Sequence, residues 1–459
     1  MLAAGTTGAY LAPCNSFMRG YDIDQVPAAL VGRSGTPVNT VEDLAECLAG
    51  MDLAQISLSL GDNAPFTLSA MLLALARRRG VAWSSLAGTT NQSDYLSLAA
   101  ANHMFFRLSL DGSRRLLLDH IRFMNAQAPR WNPLSVVGQH MQEAGATPAE
   151  AMGFALSSAL QYGRDLLACG LAPDAFLPRF SFFFDVSLSF FEEFAKFRAG
   201  RRLWARIARE RLGAREPASW RLRFHAQTAG VELTRERPLN NLTRVTVQAM
   251  AAIFAGCQSL HTDAYDEAFQ SPSAHSARLA LDTQTILREE ARFDEVIDPL
   301  GGSYYLECLT DEMEGAIVAV MDRIEAAGGM HQAVADGLVQ QMIGASALRQ
   351  QDRIDRGERK VVGVNLARDP EVSQLPPDSP ELPDIADIER RVAAFRTWKA
   401  ARNAGALRAA AGALSAAARD PQANLYSAVL AALTAGMTHG EVVAGLRAEL
   451  GAGVPHAMV

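Results

Sequence analysis

Cysteine is scarce in this chain of 459 residues: Cys14, Cys47, Cys169, Cys257 and Cys308 are scattered, with no C-x-x-C spacing. That pattern excludes a zinc-finger framework and a disulfide scaffold, and it fits a reducing, cytoplasmic compartment. An excess of basic charge is also missing. The 43 Lys and Arg against 50 Asp and Glu give a formal charge of −7, which argues against nucleic acid as a partner. The basic cluster Arg198-Ala-Gly-Arg-Arg202 is too local to reverse that balance and reads as a solvated helix face. No apolar run reaches the roughly 18 residues a membrane helix needs, and the first residues lack the basic and apolar regions of a signal peptide. Neither a G-x-S-x-G elbow nor a P-loop is present, so hydrolase and nucleotide-triphosphatase readings have no positive support. No internal repeat of fixed period is evident.

What the chain does have is alternation. Short apolar strands are expected at Gly8–Pro13, Gln55–Leu60, Ser85–Thr90, His103–Leu108, Pro133–Gly138, Arg179–Phe184, Arg221–Phe224 and Ser259–His261. Between them lie amphipathic helical stretches, among them Thr40–Gly50, Phe66–Arg79, Thr147–Gly170, Ser189–Leu212 and Thr243–Gly256. Eight strands alternating with helices predict an α/β fold, a (β/α)8 TIM barrel. Two helical stretches, Leu309–Gly328 and His331–Gly357, follow, and the apolar run Val361–Asn365 reads as one more strand. Residues 369–383 hold five prolines, a linker composition. The expected division is therefore a barrel with its following helices over 1–368, the linker, and an Ala-rich helical C-terminal region over 384–459.

Polar residues gather at the strand ends. Gly138-Gln-His140, Arg179 and Ser181, His225 and Gln227, and Gln258 and His261 would converge if the strands formed one barrel. A single strand-end histidine is more often structural than catalytic. Three, with an arginine on the strand between, favour a site for a polar or anionic ligand. No carboxylate stands beside them at metal-ligand spacing. The aromatic run Phe180 and Phe182–Phe184, continued by Phe190, Phe191 and Phe194, reads as core.

Several of these stretches resemble one family. Arg19-Gly-Tyr-Asp22, Gly138-Gln-His-Met-Gln-Glu-Ala-Gly-Ala146, Pro178-Arg-Phe-Ser-Phe-Phe183, Arg223-Phe-His-Ala-Gln-Thr-Ala-Gly230, Gln258-Ser-Leu-His-Thr262 and Asp298-Pro-Leu-Gly-Gly-Ser-Tyr304 look like the catalytic subunit of the methylmalonyl-CoA mutase family, in order from near residue 2 to at least Asn365. The resemblance implies a barrel that threads an acyl-CoA along its axis and meets adenosylcobalamin at its mouth. It implies a radical 1,2-rearrangement of the acyl skeleton, for which a dry, enclosed cavity is the physical requirement. Carried over position by position, His140 resembles the histidine that bonds the thioester carbonyl. Ser59, Arg179 and Ser181 match substrate-binding positions, and Asn91 or Gln92 matches the glutamine of the G-T-I-Q-N run. Gln227, Gln258 and Glu267 match positions lining the corrin and adenosyl region.

The departures are equally specific. The arginine that pairs with a substrate carboxylate falls at Ala101, with His103 and Arg107 the nearest basic residues. The tyrosine before the active-site histidine is Gln139, and the asparagine at an adenosyl ribose contact is Asp263. The family's N-terminal segment and its D-x-H-x-x-G cobalamin domain have no counterpart; His439, in Thr438-His-Gly440, lacks that context.

Three readings stand open. One is a mutase large subunit working with a separate small cobalamin-binding subunit, on an acyl-CoA without the usual carboxylate. Another is a cobalamin-independent lyase, decarboxylase or isomerase of an acyl-CoA or acyl-carrier thioester, using His140, His103 or His225 as acid or base. The third is a non-catalytic barrel subunit. All three expect a homo- or hetero-oligomer.

Overall fold

The computed structural model describes residues 8–33, 35–90, 95, 99–100, 108–368 and 383–453. Eight strands, separated by helices except between the fourth and fifth, are arranged by their hydrogen bonding as two four-stranded sheets. The first holds β1 (Gly8–Leu11), β2 (Ser57–Leu60), β3 (Ala87–Thr90) and β4 (Trp131–Asn132); the second holds β5 (Leu134–Val137), β6 (Phe180–Val186), β7 (Phe224–Thr228) and β8 (Ser259–His261). The α/β class is as expected. Among the described residues, however, no ladder joins the two sheets into a closed barrel. The expected strand His103–Leu108 falls almost wholly outside the described residues, and Leu108 itself is not in a strand. The eighth strand arises because the expected strand near Pro133 is split: β4 and β5 are separated by that proline, which has no N–H to give to a ladder.

The chain divides into two compact units and changes unit twice, between Ser135 and Val136 and again between Glu381 and Leu382, at the end of the stretch 369–383. One unit runs to Ser135 and takes in the C-terminal helices; the other begins at Val136 and contains β6–β8. The expected Pro-rich linker lies outside the described residues, apart from Pro383.

In the first unit a polar row crosses the sheet in register, Tyr10 beside Ser59, Ser59 beside Thr89 and Thr89 beside Asn132. Gly88 allows β2 and β3 to approach so closely: its φ is +157° and a Cβ there would lie 2.0 Å from the Leu58 carbonyl oxygen. The helix Thr67–Arg78 is buried over ten of its twelve residues, because the helices Leu425–Thr434 and His439–Leu450 cover it. Ser69 Oγ meets Tyr426 OH at 3.1 Å, and Thr67 Oγ1 meets His439 Nδ1 at 2.6 Å. His439 is fully buried and stacks on Phe17 with ring centroids 3.8 Å apart, so it is a structural residue. Asp22 ties the same helices down, accepting from Thr438 Oγ1 at 2.6 Å and Gly440 N at 2.8 Å and pairing with Lys399 Nζ at 2.8 Å.

In the second unit Phe180, Phe182–Phe184 and Phe194 of the aromatic run pack as core, whereas Phe191 is 48% exposed. Alternate residues of a strand face opposite ways, and Phe182 and Phe184 face the helix Phe190–Arg206. Trp204 lies 5.1 Å from Phe182, and Phe197 lies 5.6 Å from Phe184 and stacks on Phe224 at 4.2 Å. Ser181, Phe183 and Asp185 of β6 therefore point to the other face. The helix Pro148–Ala168 starts where Thr147 and Glu150 form a capping box with proline in the first turn. Val361–Asn365 is not a strand but a turn with an isolated Val362–Leu366 bridge. The Asn365 side chain satisfies the local backbone there, accepting from Val361 N at 2.7 Å and donating to Arg359 O at 2.7 Å. The expected helix His331–Gly357 breaks at Gly337, where φ is +79°. No helix among the described residues is long and apolar enough to cross a membrane.

Candidate active site

Register places the polar residues of the second sheet in rows. Phe183 lies beside His225 and His225 beside Ser259; two residues further along, Asp185 lies beside Gln227 and Gln227 beside His261. In neighbouring parallel strands about 4.8 Å apart, both rows line the face turned away from the helix Phe190–Arg206. The sequence places His225 and Gln227 just past a strand ending at Phe224, but both lie within β7.

Predicted residues separate toward the two ends of these strands. Arg179 and Gln258 precede β6 and β8, so they lie at amino-terminal ends, not carboxyl ends. Burial lowers the Arg179 pKa to about 10. The Gln258 carboxamide is spent on backbone, accepting from Phe224 N at 2.7 Å and donating to Gly256 O at 2.9 Å. It is not brought together with Asp263 and Glu267. Ser181 lies one residue into β6. His225 Nδ1 is 2.8 Å from Ser259 Oγ. Burial, then the neighbouring His261, push its pKa down to about 4.

The carboxyl ends gather acids. Asp263, buried just past β8, accepts from Gln227 Nε2 at 3.2 Å and Thr228 Oγ1 at 3.0 Å. His261 Nε2 lies 3.4 Å from the same carboxylate. Burial lowers the His261 pKa, but the Asp263 hydrogen bond and charge, with Glu267, outweigh it and raise it. Glu267 keeps much of its surface in solvent, yet desolvation of its carboxyl and the Asp263 charge push it up to about 7.

His140 and Gln139 open the short helix Gln139–Glu143 after β5; Gln139 is buried, and its Oε1 has no hydrogen-bond donor. Ser59 lies in the polar row of the first unit. Asn91, Gln92, Ala101 and His103 lie outside the described residues.

Two residues central to this arrangement, Glu143 and Asp185, were not singled out from the sequence. Glu143 accepts from Gly230 N at 2.8 Å and Val231 N at 3.1 Å, pinning the turn after β7. Burial, then the Asp263 charge, push its carboxyl up to about 6. Asp185 is 1% exposed, and neither carboxylate oxygen accepts from an N–H or O–H donor. Burial, then the Glu143 charge, raise its pKa well above the carboxylate range. Behind it, the wholly buried Lys196 pairs with Glu193 and donates to Asp185 O at 2.7 Å and Gln142 Oε1 at 3.1 Å; Gln142 Nε2 donates to Glu193 Oε1 at 2.7 Å. The signals were available: Glu143 stands three residues after His140, and Asp185 is a lone charge in an apolar strand, where a buried polar residue is informative. Both line a cavity of about 860 Å³ beside the carboxyl ends of β6 and β7, with Ser187, Val231 and Arg359 also in its wall.

The set offers one carboxamide, several carboxyls with raised pKa and a pinned glycine turn. It suits hydroxyl and amide groups and gives no metal-ligating cluster of three or more among the described residues.

These features belong to a known family: the chain matches the family described as methylmalonyl-CoA mutase over residues 1–452, and it is a member of that family. It is 36% identical to the 2-hydroxyisobutanoyl-CoA mutase large subunit of Aquincola tertiaricarbonis, covering 97% of this chain and 79% of that one. Identity to the methylmalonyl-CoA mutase of Escherichia coli is 36%, over 96% of this chain and 61% of the relative. For the human mitochondrial methylmalonyl-CoA mutase it is 34%, over 98% and 60%. The chain thus spans about six-tenths of the methylmalonyl-CoA mutases it matches.

Proposed function

We propose that this chain is the large subunit of an acyl-CoA mutase, acting with a separate cobalamin-binding chain on an acyl thioester that lacks the carboxylate of methylmalonyl-CoA. The observation that carries this reading is the convergence of Gln227, Asp263 and Glu143 at the carboxyl ends of β6–β8, in a chain of this family. A relative named as a large subunit supports a partner chain. Alanine at position 101 supports a neutral acyl group, because no permanently charged, bidentate partner for a carboxylate stands there.

When bound, adenosylcobalamin supplies a carbon-centred radical by cobalt–carbon homolysis. Gln227, Asp263, Glu267 and Glu143 are the residues that would hold its adenosyl ribose. Asp263 in place of a neutral amide still accepts a hydroxyl hydrogen bond. His140 would donate to the thioester carbonyl, Arg179 and Ser181 would hold the polar thioester arm, and Phe183, the aromatic residue of β6 on this face, would help exclude water. Histidine acid–base chemistry has less support, since an imidazole depressed to about 4, as in His225, is neutral and weakly basic at neutral pH.

The test is an absorption titration of the full chain with adenosylcobalamin, with and without the candidate small subunit, followed by chromatography of a panel of acyl-CoA thioesters. Binding with the partner and an isomerised neutral acyl-CoA are expected. The absence of both cobalamin binding and any isomerised thioester, with the partner present, would overturn the reading. His140→Ala is expected to lower kcat by about tenfold or more, the usual cost of a lost carbonyl donor.

A further inference from the structure

Asp185 is the one acid in β6, buried in the cavity wall with no N–H or O–H donor to its oxygens. An isolated buried carboxylate is very costly, and the nearby Lys196 is already committed to Glu193, Gln142 and the Asp185 carbonyl. The neighbouring charge that acts on Asp185 most is the Glu143 carboxyl, which lines the same cavity. Two carboxyls in contact form a bond only if one carries a proton, and Asp185, the more buried, is the one to carry it.

We propose that Asp185 is a positioning residue: as a neutral acid it donates a hydrogen bond to Glu143, and this bond, with the Gly230 and Val231 N–H groups, fixes Glu143 as an acceptor for a ribose hydroxyl. The assignment rests on the adenosyl reading of the same site. No group is oxidised and no covalent bond changes; one proton is held between two carboxyls. The titratable and charged groups facing this pair are Glu193 and Lys196 of the helix Phe190–Arg206, and Asp263, His261 and Glu267 after β8. Loss of the shared proton places two charges side by side, so ribose binding weakens as pH rises through the titration of the pair. Glu267 and His261 titrate in the same region, and the comparison that isolates Asp185 is with Asp185→Asn, whose N–H donates at every pH.

The experiment is calorimetric titration of the full chain with 5′-deoxyadenosine between about pH 5.5 and pH 8.5, a window that spans the raised Glu143 and Glu267 carboxyls. Wild type is expected to lose affinity as pH rises, and Asp185→Asn to show a smaller loss. Asp185→Ala is expected to bind about tenfold or more weakly at low pH, the cost of a lost charge-assisted hydrogen bond. Equal pH dependence in wild type and Asp185→Asn, or wild-type affinity in Asp185→Ala, would overturn the proposal. Infrared difference spectra of wild type against Asp185→Asn test the pair without any ligand. A protonated-carboxyl band at neutral pH that disappears in the variant is expected, and its absence from wild type overturns the proposal. If wild type binds no nucleoside at any pH yet shows the band, the adenosyl reading and the ribose acceptor fall, and the shared proton alone survives.

Discussion

Lys196 shows how strongly one buried charge constrains its surroundings. It and Glu193 are both fully buried, and two further groups, the Asp185 carbonyl and the Gln142 carboxamide, depend on its ammonium. Lys196→Met should destabilise the chain by about 3–5 kcal/mol, because Glu193 is left charged and unpaired. Adding Glu193→Gln should recover most of that loss, as read from urea denaturation midpoints. The carboxyls nearby make a prediction of the opposite kind. Glu143, raised to about 6, holds a proton in the folded state at a pH where an unfolded glutamate has lost it. Its contribution to stability therefore falls as pH rises from the unfolded value, about 4.3, through the folded one. Asp185 acts with the same sign, while His225, depressed to about 4, acts against it below about pH 6.5. Glu143→Gln should flatten the decline of melting temperature between about pH 5 and pH 7; an unchanged slope would contradict the assignment. The single charged residue inside Phe180–Val186 was legible in the sequence, whereas its neighbours were not, since Glu143 lines the same cavity from a different element.

At the scale of elements, close packing is bought with glycine. In the helix Pro148–Ala168 a Cβ at Gly153 would lie 2.6 Å from Val320 Cγ1 and 3.3 Å from the Ile317 carbonyl oxygen, both on the helix Tyr304–Ala326. Backbone and a β-branched side chain cannot step aside easily, so Gly153→Ala should cost about 1–3 kcal/mol and lower the melting temperature, although alanine favours helix. The helices around the second sheet were largely legible, from amphipathic periodicity and from caps such as Thr147 with Glu150. Strand ends were less so. The β7 strand continues through His225 and Gln227 because their partners on β6 and β8 continue the ladder, a fact no local propensity carries. The apolar run Val361–Asn365 fails as a strand because Asn365 satisfies the backbone of its own turn.

For the molecule as a whole, the C-terminal helices have a role that composition did not disclose. They share a unit with β1–β4, where Asp22 receives Thr438, Gly440 and Lys399 from them. Asp22 is wholly buried, so Lys399→Met should destabilise the first unit by about 3 kcal/mol or more, measurable as an earlier calorimetric transition. Asp22→Asn combined with it should restore part of the loss.

Sequence alone determined the α/β class, the aromatic core of β6, most helices and the family, because these depend on local periodicity and on motifs written in contiguous residues. It also marked Gln227 and Asp263, which the structure joins by a hydrogen bond. Only the tertiary structure decided that Gln258 turns its amide to the backbone, that the C-terminal helices belong with the first sheet, and that Asp185 and Glu143 line one cavity. Those facts depend on which elements lie beside one another, and burial acts on side chains that the chain brings together from distant positions, Glu143 and Asp185 from 42 apart.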